Sequence, residues 1–342
     1  MADLATLAPG RHSGALPSAA ERRRYRTIVT ALAVAAVLLA VGHLAWDNPM
    51  PVGSDGFWTI ARMRATSLAV IVVVAFCQGI ATVSFQTVTN NRIITPSIMG
   101  FEALYVLVQT SAVFFLGAAG ILAVQGVGQY LLQVGLMVGF AAVLYGWLLS
   151  GSRGNMQIML LVGIILGAGM GAISTFMQRL LTPSEFDLLI ARLIGSIANA
   201  DATYLGVAVP LAALAGGILW LRSSRLNVMA LGRETAINLG LDHQRQTRIV
   251  LLLVSVLMAV STSMVGPMTF LGFLVAMLAY QFADTHDHRH VFPVAWLTGF
   301  VVLSGAYFVL KNVFYAAGAV GVVIEVVGGG FFLIHILRKG RL

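Results

Sequence analysis

Charged residues are scarce in this 342-residue chain, where Asp, Glu, Lys and Arg together make up only 10% of the sequence. A soluble domain of ordinary composition carries about 25% charged residues. Hydrophobic residues reach 58% and the mean hydropathy is +0.90, so water is not the solvent for most of the surface. This composition excludes an ordinary soluble protein and predicts an all-α chain that crosses a membrane several times.

Cysteine and catalytic motifs are also nearly missing. The only cysteine, Cys77, lies inside an apolar run, which excludes a disulfide framework and a cysteine-based zinc site. The sequence contains no G-x-x-x-x-G-K-[ST] phosphate loop and no H-E-x-x-H metal motif. Gly167, Gly169 and Gly171 fall within an apolar run, where small residues serve helix packing. We therefore expect neither an enzyme nor a bound cofactor.

Ionisable residues are rare within the apolar runs. Glu102, Lys311 and Glu325 each lie near the end of a predicted span. Transporters driven by protons or sodium usually place ionisable groups near the middle of the bilayer. A secondary transporter is therefore the weaker alternative, and an intramembrane enzyme would lack a catalytic constellation. If the protein moves a solute, its energy comes from outside the chain.

Long apolar runs dominate what is present. A helix needs about 20 apolar residues to cross the hydrocarbon core. Ten such spans are predicted, near residues 27–46, 65–88, 99–117, 128–150, 157–178, 203–221, 248–265, 269–283, 291–311 and 322–338. With both termini in the cytoplasm, only five of the 21 lysines and arginines lie outside, namely Arg62, Arg64, Arg179, Arg192 and Lys311. This positive-inside bias predicts an inner-membrane protein with both ends cytoplasmic, and it explains the net charge of +8 without nucleic acid.

Several segments outside the spans have recognisable patterns. Residues 1–24 are rich in Ala, Pro, Ser and Arg and predict a disordered cytoplasmic tail, so that 25–342 form a single transmembrane domain. Pro183-Ser184-Glu185 favours the start of a short outer helix. The polar inner segment 222–248 predicts two short helices with a break near Gly232. The Gly266-Pro267 pair predicts a broken or partly re-entrant helix after it.

Two groups of side chains could bind a ligand. Three histidines at alternate positions in 285–290 could hold a metal ion, although a solvated turn between two spans explains them better. Met170 and Met177 could line a path for a bulky solute, although methionine more often fills gaps in a core.

Four stretches resemble the permeases of the iron–siderophore, haem and cobalamin class of ABC importers. They are RMR at 62–64, NRIITPSIMG at 91–100, ALGRETAINLGLD at 230–242 and VGPMTFLGFLV at 265–275, the last followed by DHR at 287–289. The resemblance covers nearly the whole chain from the first span onward. The stretch around 95–105 is most similar to the subgroup that handles catecholate-type and related ferric siderophores.

The resemblance implies a function and a set of partners. It implies a type II ABC importer permease fold, with a path along the axis of a permease dimer and one ATPase subunit beneath each permease. The subgroup implies a ferric siderophore as cargo and a heterodimer more than a homodimer. An extracytoplasmic binding protein would deliver the cargo. Haem or cobalamin would be the alternative cargo within the same architecture.

The resemblance also implies site residues. Contact with the ATPase is expected from the 230–242 stretch, at Leu231, Gly232, Glu234, Ala236, Leu239 and Gly240. An ordinary polar loop is the alternative there. Arg62 and Arg64 are expected to receive acidic residues of the binding protein, and interfacial snorkelling of the two arginines is the alternative.

Overall fold

A computed structural model describes residues 14–123, 126–148, 156–197, 200–315 and 320–339, and within these ranges the chain forms helices and turns without a strand. The helices are α1 (Ala19–Ala45), α2 (Asp55–Thr89), α3 (Phe101–Ala123), α4 (Val127–Leu148), α5 (Met156–Gln178), α6 (Pro183–Leu193), α7 (Leu205–Leu221), α8 (Ser223–Met229), α9 (Arg233–Asn238), α10 (His243–Val265), α11 (Thr269–Ala283), α12 (His288–Asn312) and α13 (Val320–Lys339). Short 3₁₀ turns lie at Pro96–Met99 and Ala202–Tyr204. The all-α prediction is confirmed.

The apolar runs correspond to helices. Within the described ranges, seven helices are long and apolar enough to cross a membrane, and three shorter apolar helices lie at Phe101–Gly117, Thr269–Ala283 and Val320–Gly330. The number of ten spans stays a prediction. The first helix begins at Ala19, where Ser18 and Glu21 form a capping box, so residues 19–24 are helical where the sequence predicted a disordered tail. Residues 1–13 of that tail lie outside the described residues.

Helix α2 runs through the centre of the molecule and packs on α7, α10, α11 and α12. Glycines let these backbones approach closely. A Cβ at Gly79 of α2 would lie 3.1 Å from the carbonyl oxygen of Ala295 in α12. At Gly272 of α11 an added Cβ would collide with Thr82 of α2. Glycine therefore sets how closely α11 and α12 approach the central helix.

Two stretches of non-helical backbone contact each other inside the molecule at the C-terminal end of α10. This helix stops at Gly266, whose φ of 84° is left-handed, and α11 begins only at Thr269. The backbone N–H of Ser196 donates to the carbonyl of Val265 at 2.9 Å, and the N–H of Gly321 donates to that of Gly195 at 3.4 Å. Irregular backbone at membrane depth is tolerated where protein groups satisfy it. The interruption lies between the two helices, and α11 itself is continuous over Thr269–Ala283, so the broken helix expected after Gly266-Pro267 is not seen, while a re-entrant course stays a prediction.

Candidate functional site

The polar segment between α7 and α10 contains two short helices, as the sequence predicted. In α8, Leu226 and Met229 are buried and hold the helix against the transmembrane helices. Gly232 then adopts φ 94° and ψ 163°, and α9 begins directly after it. Only glycine occupies this region of backbone conformation without strain. Gly232 therefore sets the direction in which α9 leaves α8.

A second glycine ends α9. The N–H of Leu241 donates to the carbonyl of Ala236 at 3.0 Å, and the N–H of Gly240 donates to that of Ile237 at 2.9 Å. This pair of bonds is a Schellman motif, and Gly240 takes its left-handed position with φ 81°. Asp242 follows and caps α10 by accepting from the N–H of Arg245. The whole loop is thus fixed by backbone geometry.

Apolar side chains project from this segment into its surroundings. Leu231, Ile237 and Leu239 are 59%, 50% and 62% exposed, and we call these three residues the docking patch. Glu234 is also exposed, whereas Ala236 is fully buried. Of the six residues expected from the sequence, Ala236 therefore supports the patch from behind. Ile237 was missed, because a helix of six residues is too short for its sequence to reveal which face is buried.

A chain of polar groups, in which His288 and Thr87 are buried and Asn227 is half-buried, joins α8 to two transmembrane helices. The side-chain oxygen of Asn227 lies 2.6 Å from Nδ1 of His288 in α12, and Nε2 of the same ring lies 2.7 Å from the Thr87 hydroxyl in α2. The Asn227 amide nitrogen donates to Asp287, so its oxygen must face the ring. Since that oxygen only accepts, Nδ1 carries the proton. Nε2 faces the Thr87 hydroxyl, which also donates to the Val83 carbonyl of its own helix at 2.8 Å. The ring is therefore fixed in one tautomer between three helices.

The carboxylate beside this chain is held ionised. Burial raises the pKa of Asp287, but hydrogen bonds from Asn227 and from the backbone N–H of Arg289, together with the positive charges of the nearby His290 and Arg289 side chains, outweigh burial and lower the pKa below its ordinary value. Arg289 in turn donates to the Ser224 hydroxyl at 2.9 Å. The loop before α12 and the docking segment are thus joined at several points. Sequence reasoning placed these residues in a motif but gave them no partners.

The alternating histidines of this loop do not converge. His286 contacts Arg92 at 3.2 Å, His288 is buried between Asn227 and Thr87, and the ring of His290 packs on Tyr25. Among the described residues, no group of three or more His, Cys, Asp or Glu side chains could hold a metal ion. The three histidines therefore do not share a site, and the expected solvated turn holds only in part, because His288 is buried.

Arg62 and Arg64, which were expected on the outer side, have different surroundings. Arg64 directs its guanidinium at the C-terminal end of α1, where it donates to the carbonyls of Trp46 and Asp47, the latter at 2.9 Å. Cations stabilise this end of a helix. Arg62 is exposed. Of the pair expected to receive a binding protein, Arg62 is therefore available to a partner, and Arg64 has a structural role.

The two methionines expected on a path both lie on α5, but they do not share one environment. Met177 is buried, and its sulfur lies 4.0 Å from the Ser111 hydroxyl of α3. Met170 is half-buried, and a Cβ at Gly100 would lie 3.2 Å from its methyl group. Both side chains pack between α5 and the segment that contains Gly100 and α3, and part of the Met170 surface stays exposed.

Comparison with known proteins assigns the family. Residues 26–338 match the model of the FecCD transport family. The chain belongs to this family. It is 45% identical over 332 residues to the petrobactin import system permease protein FatC of Bacillus anthracis, covering 97% of this chain and 94% of that protein. It is 34% identical over 284 residues to the petrobactin import system permease protein YclO of Bacillus subtilis, covering 83% and 90%.

The fold of the FecCD protein also matches a solved structure. A metal-chelate type ABC transporter in an inward-facing conformation superposes with a TM-score of 0.80 and 20% sequence identity, over 92% of this chain and 99% of that one. The predictions of a membrane permease fold and of a transport subunit are confirmed by these matches. The matched residues 26–338 contain all four stretches on which the resemblance was based.

Proposed function

We propose that this FecCD protein is the membrane-spanning subunit of an ATP-driven importer that carries a ferric siderophore of the petrobactin class into the cytoplasm. The similarity to two proteins named as petrobactin permeases supports the cargo, since one of them matches along almost the whole chain. Haem or cobalamin stays the alternative cargo. The protein would lie in the inner membrane with both termini cytoplasmic, as the arginine distribution predicts.

Uptake by the assembled importer tests the cargo. The permease would be reconstituted with its ATPase and binding protein in liposomes and supplied with radioactive ferric petrobactin, haem or cobalamin. We expect ATP-dependent accumulation of the ferric siderophore alone. Accumulation of haem or cobalamin instead would contradict the cargo, and accumulation with an ATPase-dead partner would contradict ATP drive.

The docking patch is the observation that supports an ATPase partner. An exposed apolar group on a polar, membrane-proximal segment suits insertion into a groove of a soluble protein. Burying one leucine or isoleucine contributes about 1.5–3 kcal/mol when exposure is complete. With Leu231, Ile237 and Leu239 a little over half exposed, the patch would contribute about 3–5 kcal/mol to docking.

Paired alanine substitutions test the patch. We expect Leu239→Ala to weaken ATPase binding by about tenfold, because its exposed surface would no longer fill the partner's groove. Asn238→Ala is the matched control, since Asn238 is an exposed polar residue at the end of α9, directly before Leu239. Binding constants of the purified ATPase to permease in nanodiscs give the comparison. Equal affinities for the two variants would contradict docking through the patch.

The chain Asn227–His288–Thr87 offers a connection from the docking segment to the transmembrane helices. We infer that displacement of α8 by the ATPase moves α2 and α12 through these contacts, since His288 and Thr87 are buried and Asn227 is also bonded to Asp287. ATP hydrolysis would then be coupled to movement of the transmembrane helices through this connection.

Arg62 would contact the binding protein on the outer side. Charge-assisted contacts between arginine and carboxylate speed and orient association. We expect Arg62→Glu to lower uptake at limiting binding-protein concentration, with a deficit that depends on salt. Met63→Gln serves as control, because Met63 is exposed beside it and carries no charge. Normal uptake by the charge-reversed variant would contradict the contact.

A second permease chain completes the proposed assembly. Helix α5 exposes the apolar residues Ile158, Leu161 and Ile165, which could face lipid or another permease. We propose that a different permease chain covers α5 and that Met170 faces the path between them. Co-purification of differently tagged copies of this chain, from cells that also express a second, different permease chain, tests this assembly. Recovery of both tags together would show a homodimer and contradict the proposed pairing.

A further inference from the structure

The first two turns of α1 carry a concentrated positive charge on one face. Arg22, Arg23 and Arg26 are exposed, and at 3.6 residues per turn they project to the same side of the helix. They line a surface groove together with Thr27 and Thr30. Among the described residues, none of these three arginines forms an ion pair. We call Arg22, Arg23 and Arg26 the arginine face.

The opposite side of the same two turns packs against the loop between α11 and α12 and the start of α12. Arg24 pairs with Asp284 at 2.6 Å, and the Tyr25 hydroxyl donates to the carbonyl of His290 at 3.1 Å. The Tyr25 and His290 rings also meet edge to face, with centroids 5.1 Å apart. These contacts fix the rotation of the helix about its own axis. The arginine face is therefore turned away from the loop before α12.

The arginine face continues directly into a lipid-facing surface. Further along the same side of α1, Val34, Val37, Leu38 and Val41 are 53%, 62%, 67% and 56% exposed. From Arg23 to Val41 the helix rises about 27 Å, close to the hydrocarbon thickness of about 30 Å. When the valines and Leu38 contact acyl chains, the three guanidinium groups lie at the depth of the headgroups of one leaflet.

We propose that the arginine face is a binding site for the phosphate of anionic phospholipids. Guanidinium groups bind phosphate oxygens through paired, charge-assisted hydrogen bonds, and their aliphatic stems can rest on acyl chains. Clustered arginines beside a membrane span attract anionic lipids, at about 1 kcal/mol for each residue. A zwitterionic lipid offers the same phosphate without net charge. The continuity with the apolar surface makes a lipid the occupant, since a headgroup and its chains cover both parts at once.

Lipid retention by the purified complex tests the site. The permease with its ATPase partner would be titrated with dioleoylphosphatidylglycerol or dioleoylphosphatidylcholine, and bound lipids counted by native mass spectrometry at low and high salt. We expect the wild type to prefer phosphatidylglycerol and to lose that preference at high salt. The R22Q/R23Q/R26Q variant should retain phosphatidylglycerol at least tenfold less well. Inorganic phosphate at the same concentration should not displace the lipid, because it lacks acyl chains.

Two further variants separate the site from a general effect of charge. R24Q removes one arginine from the same two turns but from the attached side, so it should keep the lipid preference, whereas R26Q should reduce it. The R22K/R23K/R26K variant keeps the charge that directs membrane insertion and should keep part of the preference. Equal retention of both lipids by the wild type, or equal losses in R24Q and R26Q, would overturn the proposal. So would loss of the ATPase subunit from R22Q/R23Q/R26Q with unchanged lipid retention, since the face would then bind protein.

Discussion

Replacing Gly232 with alanine should disconnect ATP hydrolysis from uptake. The residue combines φ 94° with ψ 163°, a conformation that an L-residue adopts only under strain. A Cβ at this position would meet nothing within 4 Å, so the added methyl group acts through the backbone alone. Relief of the strain requires a rotation between α8 and α9, and that rotation displaces Leu239 and the rest of the docking patch.

The size of the effect follows from the backbone. Strain in this region costs about 1–3 kcal/mol. In the free permease, the alanine variant can relax to a conformation that does not bind the ATPase. The same free energy of about 1–3 kcal/mol then separates this relaxed conformation from the binding-competent one and lowers the population of the latter. The affinity for the ATPase should therefore drop by about fivefold to 150-fold. Titration of the ATPase onto permease in nanodiscs measures this affinity, and reconstituted liposomes give the amount of ferric siderophore imported per ATP hydrolysed.

Matched glycines provide the controls. Gly217 in α7 also has nothing within 4 Å of a Cβ but has ordinary helical backbone, so G217A should bind the ATPase normally. Gly240 has φ 81°, and asparagine tolerates the left-handed region better than alanine, so G240N should lose less than G240A. Unchanged affinity and uptake in G232A, or an equal deficit in G217A, would refute the reasoning.

Three further substitutions have distinct expected results. Arg64→Gln should lower thermal stability by about 1–3 kcal/mol, because charge-assisted bonds to the end of α1 are lost. Gly195→Ala should also lower stability, because its Cβ would lie 2.9 Å from a backbone carbonyl oxygen; uptake should fall with it. His288→Ala should leave ATP hydrolysis running while uptake per ATP falls, since the imidazole that links Asn227 of α8 to Thr87 of α2 is lost, while the bonds from Asn227 to Asp287 and from Arg289 to Ser224 remain.

Each of these results has a control. Arg62→Gln should leave the melting temperature unchanged, and an equal shift in both arginine variants would contradict a capping role for Arg64. Gly206→Ala meets nothing within 4 Å and should behave as wild type. For His288→Ala, a proportional fall in hydrolysis and uptake would indicate general destabilisation and count against a connecting role.

Much of the fold could be predicted because it follows from local composition. Long apolar runs become helices in a membrane whatever their neighbours are, since each backbone group must be satisfied within its own helix. Glycine and proline also mark local breaks, because glycine widens and proline narrows the range of backbone dihedral angles at its own position. The sequence therefore predicted the break at Gly232, the helix starting at Pro183 and the end of α10 at Gly266. The start of α1 was misplaced because Ser18 and Glu21 form a cap that extends the helix into polar residues.

The sequence by itself determined the class of protein, the helical runs and the glycines that shape the docking segment. Tertiary structure alone decided which side chains are exposed to a partner and which are held by contacts inside the molecule. It buries Ala236 and exposes Ile237, turns Arg64 toward α1, and joins His288 to Thr87 across 201 positions of sequence. The physical reason is that backbone conformation depends on neighbouring residues, whereas exposure and hydrogen-bond partners depend on which distant helices pack together.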